Sequence, residues 1–433
     1  MVGTPASGSP ERITAGILRR VLSHVLISVR ARVPTLGLAI AVITACSSSV
    51  TPTPSGTTSP GASSPTATAS TPVGSASPSA SPTPEESCAQ RTFAGLTPNQ
   101  RIGQLFMLGL RDDVVSSVIK TGITDHHLGS VYYAARSSAG VKKIRAISDG
   151  VQKLATDANT GGIRFFVGAN QEGGQIQPLT GPGFDTIPSA VNQGKLSVAS
   201  LQAKAEKWAT QLVAAGINVD LAPVADVVPA GTEKDNAPIG ALSREYGSDP
   251  KAVGAHVAAF IAGMSAGGVQ ATAKHFPGLG RVAENTDFSA AVVDDVTTRD
   301  DPYLDSFRAA VEADVPFVMA ALATYTQIDP DHLAAFSPRI VHDVLRGDLG
   351  FKGVVMSDSL TVTAVKALDP AVRALLFIAA GGDLIVLNSA TVAGQMADAL
   401  LEQAGQGTPF SARLDDAVMR VLRAKDAAGL IDC

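Results

Sequence analysis

The chain has 433 residues, of which 45% are hydrophobic, and a formal net charge of −5. This small negative charge and the lack of a block of basic residues argue against nucleic acid as a partner. The length alone would allow two or three domains, but the first part of the chain does not have the composition of a globular domain.

Residues 1–45 are typical of an export signal. An arginine-containing region, Arg19–Arg32, precedes the apolar run Val33–Ala45, which is too short to span a bilayer as a permanent helix. The run ends in Val-Ile-Thr-Ala-Cys, which resembles a bacterial lipobox. We therefore expect cleavage before Cys46, lipid on that cysteine, and a protein that is exported and held through the lipid on the outer face of the bacterial cytoplasmic membrane. The alternative is a free cysteine at the end of an uncleaved anchor.

Residues 46–87 are predicted to be a tether. After the cysteine, Ser47–Ser87 consists almost wholly of Ser, Thr, Pro, Ala and Gly. Such a segment buries too little apolar surface to offset the entropy cost of ordering it, so we expect it to be disordered. The folded part then runs over residues 88–433, with Cys88 and Cys433 at its two ends. In an exported protein this pair favours a disulfide, with two unrelated thiols as the alternative.

The folded part alternates between short apolar runs and amphipathic stretches. The apolar runs are predicted to be strands, at Leu105–Leu110, Gly129–Tyr133, Phe165–Gly168, Val219–Ala222, Ala271–Lys274, Phe317–Ala320, Val354–Met356 and Leu384–Leu387. The amphipathic stretches are predicted to be helices, at Lys142–Ala158, Leu201–Ala214, Ala252–Met264, Pro302–Ala313, Ile340–Leu345, Ala371–Ala379, Val392–Gln403 and Leu414–Ala427. Eight alternating units predict one α/β domain, a (β/α)8 TIM-type barrel.

Polar residues follow several of these predicted strands. The segment Asn170–Gly174 follows the third strand, Asp226 comes after the fourth, Lys274 and His275 end the fifth, and Asp358 follows the seventh. Active sites of such barrels lie at the C-terminal ends of the strands, so these residues are expected to meet there. For Asp358 alone, a helix N-cap is the alternative. For Lys274 and His275, the alternative is a buried lysine paired with a carboxylate and a core histidine.

Several motifs in this region resemble one family. The segments NQEGG, AGINVDLAPVADV, SREYGSDP, KHFPGLG and FKGVVMSDSL, in this order, are similar to glycoside hydrolase family 3 and within it to the single-domain bacterial β-N-acetylglucosaminidases. The resemblance extends over Leu96–Ile431. It implies a retaining hydrolase that removes terminal β-linked N-acetylglucosamine from cell-wall or chitin-type fragments. We also expect a monomer that needs no metal or organic cofactor.

The resemblance also assigns roles to single residues. Asp358 matches the nucleophile, which forms a covalent glycosyl-enzyme. Lys274, His275 and Arg244 match residues that hold sugar hydroxyls, and Asn170 stands where the family has an aspartate with the same task. An asparagine still forms hydrogen bonds but carries no charge, so hydroxyl binding is expected to weaken.

Three further departures from the family pattern concern the sugar site and the acid. An arginine shortly after the NQEGG motif is replaced around Gln175–Pro178, and the second histidine of KHFPGHG is Leu279. The family's Asp-Ser-His on the following loop is Asn285, Thr286 and Asp287, so Asp287 stands in the place of the general acid/base histidine. We predict that Asp287 takes that role as a carboxylic acid. The alternative is that it only caps or stiffens the loop.

These departures leave two other functions open. One is a barrel with little or no activity that binds cell-wall sugars, in keeping with the departures at Asn170 and on the acid loop. The other is a phosphorolytic, transglycosylating or differently specific enzyme. The change from histidine to aspartate disfavours phosphorolysis, because a carboxylate repels phosphate.

Overall fold

The computed structural model describes residues 86–433. The predicted signal peptide, the lipid site predicted at Cys46 and the tether as far as residue 85 lie outside the described residues. Within 86–433, no helix is both long and apolar enough to cross a membrane. A disulfide joins Cys88 to Cys433, the last residue of the chain.

Eleven strands lie in the described part of the chain. In chain order they are β1 Phe106–Leu110, β2 Ser130–Tyr133, β3 Phe166–Ala169, β4 Val219–Asp220, β5 Gln270–Phe276, β6 Val293–Asp294, β7 Phe317–Ala320, β8 Thr324–Tyr325, β9 Asp329–Leu333, β10 Val354–Ser357 and β11 Ile385–Leu387. Eight of them form a parallel sheet in the order β10-β7-β5-β4-β3-β2-β1-β11. A parallel bridge between Met356 and Leu384 links the two end strands, β10 and β11. It closes the sheet into a (β/α)8 barrel.

The barrel is the architecture that the sequence predicts. All eight predicted strands are present because their apolar runs are covered on both faces, as in other parallel sheets. The small sheet of β6, β8 and β9 was not predicted, since β6 and β8 are two residues long and show no hydrophobic period.

Helices surround the barrel. They are α1 Cys88–Gly95, α2 Pro98–Gly103, α3 Ser117–His126, α4 Gly140–Gln152, α5 Asp157–Thr160, α6 Ala190–Gln193, α7 Val198–Ala214, α8 Pro250–Ala266, α9 Asp305–Glu312, α10 Pro370–Ala380, α11 Ala390–Gln403 and α12 Pro409–Ala427, with a π-helical segment at Arg339–Asp348. The predicted helix Lys142–Ala158 was wrong at its end. Helix α4 stops at Gln152, and Thr156 caps the separate helix α5 by accepting a hydrogen bond from the backbone N–H of Asn159.

The N-terminal end of the barrel is sealed. The rings of Phe166 on β3 and Phe317 on β7 meet edge to face inside it, with centroids 5.3 Å apart. Below them the buried Lys425 of α12 donates hydrogen bonds to the side chain of Gln104 and the carbonyl of Gly129. The polar residues that follow the strands lie at the opposite, C-terminal end, where the candidate site is.

Candidate active site

A buried ion-pair cluster lies at the ends of β3 and β5. The guanidinium of Arg244 donates to both carboxylate oxygens of Glu172 at 2.8 Å, and the ammonium of Lys274 lies 2.5 Å from one of them. Burial alone would raise the pKa of Glu172, but the charges of Arg244 and Lys274 outweigh it and lower the pKa to about 2. Glu172 therefore stays ionised and holds both cations in place.

Asn170 joins this cluster from the end of β3. Its side-chain oxygen accepts a hydrogen bond of 2.8 Å from the ammonium of Lys274. The lysine thus bridges Asn170 and Glu172. Because a cation, a guanidinium and an amide converge here, the cluster suits the recognition of adjacent sugar hydroxyls.

His275 is held by the carboxylate of Asp226. Its Nδ1 lies 2.7 Å from one oxygen of Asp226, and the other oxygen accepts hydrogen bonds from the backbone N–H groups of His275 and Leu279. One carboxylate therefore orients the imidazole ring and fixes the start of the loop after β5. The Nε2 atom of His275 lies 3.5 Å from the guanidinium of Arg244, which places the histidine beside the ion-pair cluster.

Asp358 follows β10 directly. Its backbone N–H donates to the carbonyl of Ala320 on the neighbouring strand β7, and one carboxylate oxygen accepts from the backbone N–H of Ser359 at 2.7 Å. The side chain is half-buried. The local hydrogen bond does resemble an N-cap, but it occupies only one of the two carboxylate oxygens, and the side chain keeps access to the mouth of the barrel.

Asp287 lies on the loop after β5, which contacts the segment after Asp358. The backbone N–H of Ala364 donates to the carbonyl of Thr286, and that of Thr363 to the carbonyl of Asp287. The side chain of Asp287 is in contact with solvent. Partial desolvation and, after it, the negative charge of Asp358 raise the pKa of Asp287 above its ordinary value. The two carboxyl groups are therefore electrostatically coupled.

A further carboxyl group, Asp220 at the end of β4, was missed by the sequence reasoning. It is buried, and its Oδ1 accepts a hydrogen bond of 2.9 Å from the backbone N–H of Gln171. Among the described residues, its Oδ2 has no hydrogen-bond partner. Burial raises its pKa from 3.8 to about 7. Asp220 thus supports the loop that carries Asn170 and Glu172. When it is ionised, its buried charge lowers the stability of the folded protein.

We expect Asp220→Asn to stabilise the protein more at pH 8 than at pH 5. Between pH 4 and 7 the unfolded chain releases this proton and the folded protein keeps it, so the wild type loses stability as the pH rises. The asparagine keeps the hydrogen bond from Gln171 without this loss. The gain in the free energy of unfolding of the variant over the wild type should therefore be about 1–3 kcal/mol larger at pH 8 than at pH 5. Urea unfolding of both proteins at the two pH values measures it, and an unchanged difference would contradict the role given to this carboxyl.

Two other residues of the site were missed. Tyr132, on β2, donates a hydrogen bond of 2.5 Å to the side-chain oxygen of Asn388, which follows β11. Burial raises the pKa of the Tyr132 hydroxyl, and so do the charges of Asp358 and Asp287. Tyr132 lies within the predicted strand Gly129–Tyr133, so the search of strand ends did not include it. Asn388, by contrast, directly follows the predicted strand Leu384–Leu387. The rule that found Asp358 would have found Asn388 had it been applied to the eighth strand.

A closed parallel barrel with two coupled carboxyl groups and buried cations at its C-terminal end has the architecture of a barrel glycosidase. Residues 97–424 match the model described as the Glycosyl hydrolase family 3 N terminal domain, so the chain belongs to glycosyl hydrolase family 3 and is classed as a glycosidase.

Three similar proteins are named as hexosaminidases. A Beta-hexosaminidase from Stenotrophomonas maltophilia (strain R551-3) is 36% identical over 206 residues, which are 45% of this chain and 58% of that protein. One from Xylella fastidiosa (strain M12) is 29% identical over 65% of this chain and 83% of that protein. The crystal structure of Beta-N-acetylhexosaminidase from Beutenbergia cavernae DSM 12333 is 48% identical with a TM-score of 0.75, covering 76% of this chain and 99% of that chain.

Proposed function

We propose that this protein is a retaining β-N-acetylhexosaminidase that removes terminal β-linked N-acetylglucosamine from cell-wall or chitin-type fragments. The observation that carries the proposal is the pairing of Asp358 with Asp287 on contacting segments, next to the cluster of Glu172, Lys274 and Arg244. The names of the similar proteins support the acetamido sugar as substrate.

In the first step Asp358 attacks the anomeric carbon. A bond forms between a carboxylate oxygen and that carbon as the bond to the leaving oxygen breaks, and Asp287 gives its proton to the leaving oxygen. Asp287 must be protonated for this step. The raised pKa suits the role, and further desolvation by a bound sugar would raise it again.

In the second step water replaces the enzyme. Asp287, now a carboxylate, takes a proton from water, the water oxygen bonds to the anomeric carbon, and Asp358 leaves. Two inversions at the same carbon give a product with the β configuration of the substrate. The first step leaves Asp287 ready to act as the base in the second.

The ion-pair cluster supplies the binding that holds the sugar during both steps. Lys274 and Arg244 are each held by the carboxylate of the buried Glu172. They can donate hydrogen bonds to adjacent sugar hydroxyls together with His275. Asn170 adds an amide where a carboxylate would accept more strongly, so a KM higher than that of an enzyme with aspartate there is expected.

The proposal is tested by hydrolysis of an aryl N-acetyl-β-glucosaminide by the purified protein, followed by proton NMR of the sugar. We expect turnover and the β anomer as the first product, before mutarotation. An α anomer first would exclude the double displacement. The absence of turnover with an activated leaving group would favour the sugar-binding barrel instead.

A further inference from the structure

Three adjacent strands bring Tyr132, Gly109 and Asn388 to the same level of the barrel. Gly109 on β1 is in register with Tyr132 on β2. On the other side of β1, Leu108 is in register with Leu387 of β11, which places Asn388 at the level of Gly109. The hydrogen bond between Tyr132 and Asn388 therefore passes across the glycine.

This pair faces the interior of the barrel. The next residue on β2, Tyr133, points outward, because its hydroxyl contacts the carbonyl of Ile144 and the side chain of Ser148 on helix α4. Side chains alternate along a strand, so Tyr132 points inward. The influence of Asp358 and Asp287 on the Tyr132 hydroxyl agrees with that direction.

Gly109 provides the space for this arrangement. A Cβ atom at this position would lie 2.3 Å from the side-chain oxygen of Asn388 and 2.8 Å from the Cβ of Ala134. The backbone of Gly109 has an ordinary φ, so the glycine is needed for space and not for its conformation. Any larger residue would displace the Asn388 amide from the mouth of the barrel.

The amide of Asn388 keeps hydrogen-bonding capacity for a ligand. Its oxygen accepts from Tyr132, and its nitrogen has no protein partner among residues 86–433. The side chain is half-buried and stands beside the strand that carries Asp358, because β10 and β11 are joined by the bridge between Met356 and Leu384. A donor held at this place next to the nucleophile is well placed to contact a bound sugar.

The edges of the sugar differ in the number of their polar groups. With the anomeric carbon at Asp358, one edge of a 2-acetamido sugar carries the C2, C3 and C4 substituents, and the other carries only the ring oxygen and the C6 hydroxymethyl group. The dense cluster of Lys274, Arg244 and His275 matches the first edge. The single amide supported by Tyr132 matches the second.

We propose that Asn388, positioned by Tyr132, donates a hydrogen bond to the C6 hydroxyl of the bound sugar and so makes the site specific for hexosaminides with a free C6 hydroxyl. This inference rests on the proposed function. Asn388, after β11, is then a specificity-determining residue, and Tyr132, on β2, is the residue that positions it.

The test compares 4-nitrophenyl N-acetyl-β-glucosaminide with its 6-deoxy analogue in the wild type, Asn388→Ala and Tyr132→Phe. We expect the wild type to prefer the 6-hydroxy substrate roughly tenfold in kcat/KM, since a site built around a hydroxyl rejects the analogue that lacks it. Asn388→Ala should lower this ratio to about one, and Tyr132→Phe should give an intermediate ratio. The intrinsic reactivity of the two substrates cancels when ratios are compared.

Tyr133→Phe is the matched control, because it removes an outward hydroxyl from the same strand and should keep the wild-type ratio. A lowered melting temperature with an unchanged ratio in Asn388→Ala would mean that the pair only ties β2 to β11, and this would overturn the proposal. If the wild type turns over neither substrate, the proposed function fails. Calorimetric binding of N-acetylglucosamine and its 6-deoxy analogue then decides the inference, and equal affinity or no binding rejects it.

Discussion

Asp358→Ala should abolish turnover, lowering kcat by roughly 10⁴-fold or more. The variant has no carboxylate to attack the anomeric carbon, and water cannot replace a nucleophile held at the end of β10. The fold should be nearly unaffected, because the one hydrogen bond of the side chain goes to the backbone of Ser359. Hydrolysis of an aryl N-acetyl-β-glucosaminide measures the loss, and a thermal melt checks the fold.

The matched control for this variant is Asp415→Ala. Asp415 is an exposed aspartate on the surface of helix α12, far along the chain from the strand ends. Its loss removes the same charge and should leave kcat within about twofold, because surface substitutions of this kind rarely matter. Undiminished activity in Asp358→Ala would reject the assignment of the nucleophile and the retaining mechanism with it.

Asp287→Asn should lower kcat/KM by roughly 10²- to 10⁴-fold for substrates whose leaving group must be protonated. For these substrates, such as a disaccharide, the amide cannot give a proton to the leaving oxygen. A dinitrophenyl leaving group needs no proton, so kcat/KM for that glycoside should stay near the wild-type value. Parallel kinetics with both substrates measure the contrast, since kcat/KM reports the first irreversible step.

Glu284→Gln serves as the control on the same loop. Glu284 is exposed and lies three residues before Asp287, so its substitution removes a negative charge without touching the proposed acid. It should behave as the wild type with both substrates. An equal loss of kcat/KM on both leaving groups in Asp287→Asn would mean that Asp287 stiffens the loop and that another group transfers the proton.

Both predictions depend on a contact that the sequence does not contain. Asp287 and Asp358 belong to different barrel units, and nothing in their spacing shows that they are near each other. The backbone bonds from Thr363 and Ala364 to the loop after β5 bring them together. The resemblance to the family located the acid position only by counting along that loop, and the coupling to Asp358 supports it on independent physical grounds.

The sequence by itself determined the barrel and most of its mouth. Apolar strand runs covered on both faces repeat eight times, and this local pattern suffices for the architecture and for the strand ends that carry Asp358, Lys274 and Asn170. A hydrophobic pattern is recognisable only over several consecutive residues, which is why the two-residue strands β6 and β8 were missed.

Only the tertiary structure decided how the side chains share their partners. Glu172 neutralises two cations from two other segments, and the hydroxyl of Tyr132 meets Asn388 from a residue far away in the chain, across a glycine between them. Such pairings depend on the strand register and on the space left by the missing Cβ atom of Gly109. Both are defined only in the folded barrel. The chemistry of the strand ends was therefore present in the sequence, and the folding of the barrel determined which groups act on the same sugar.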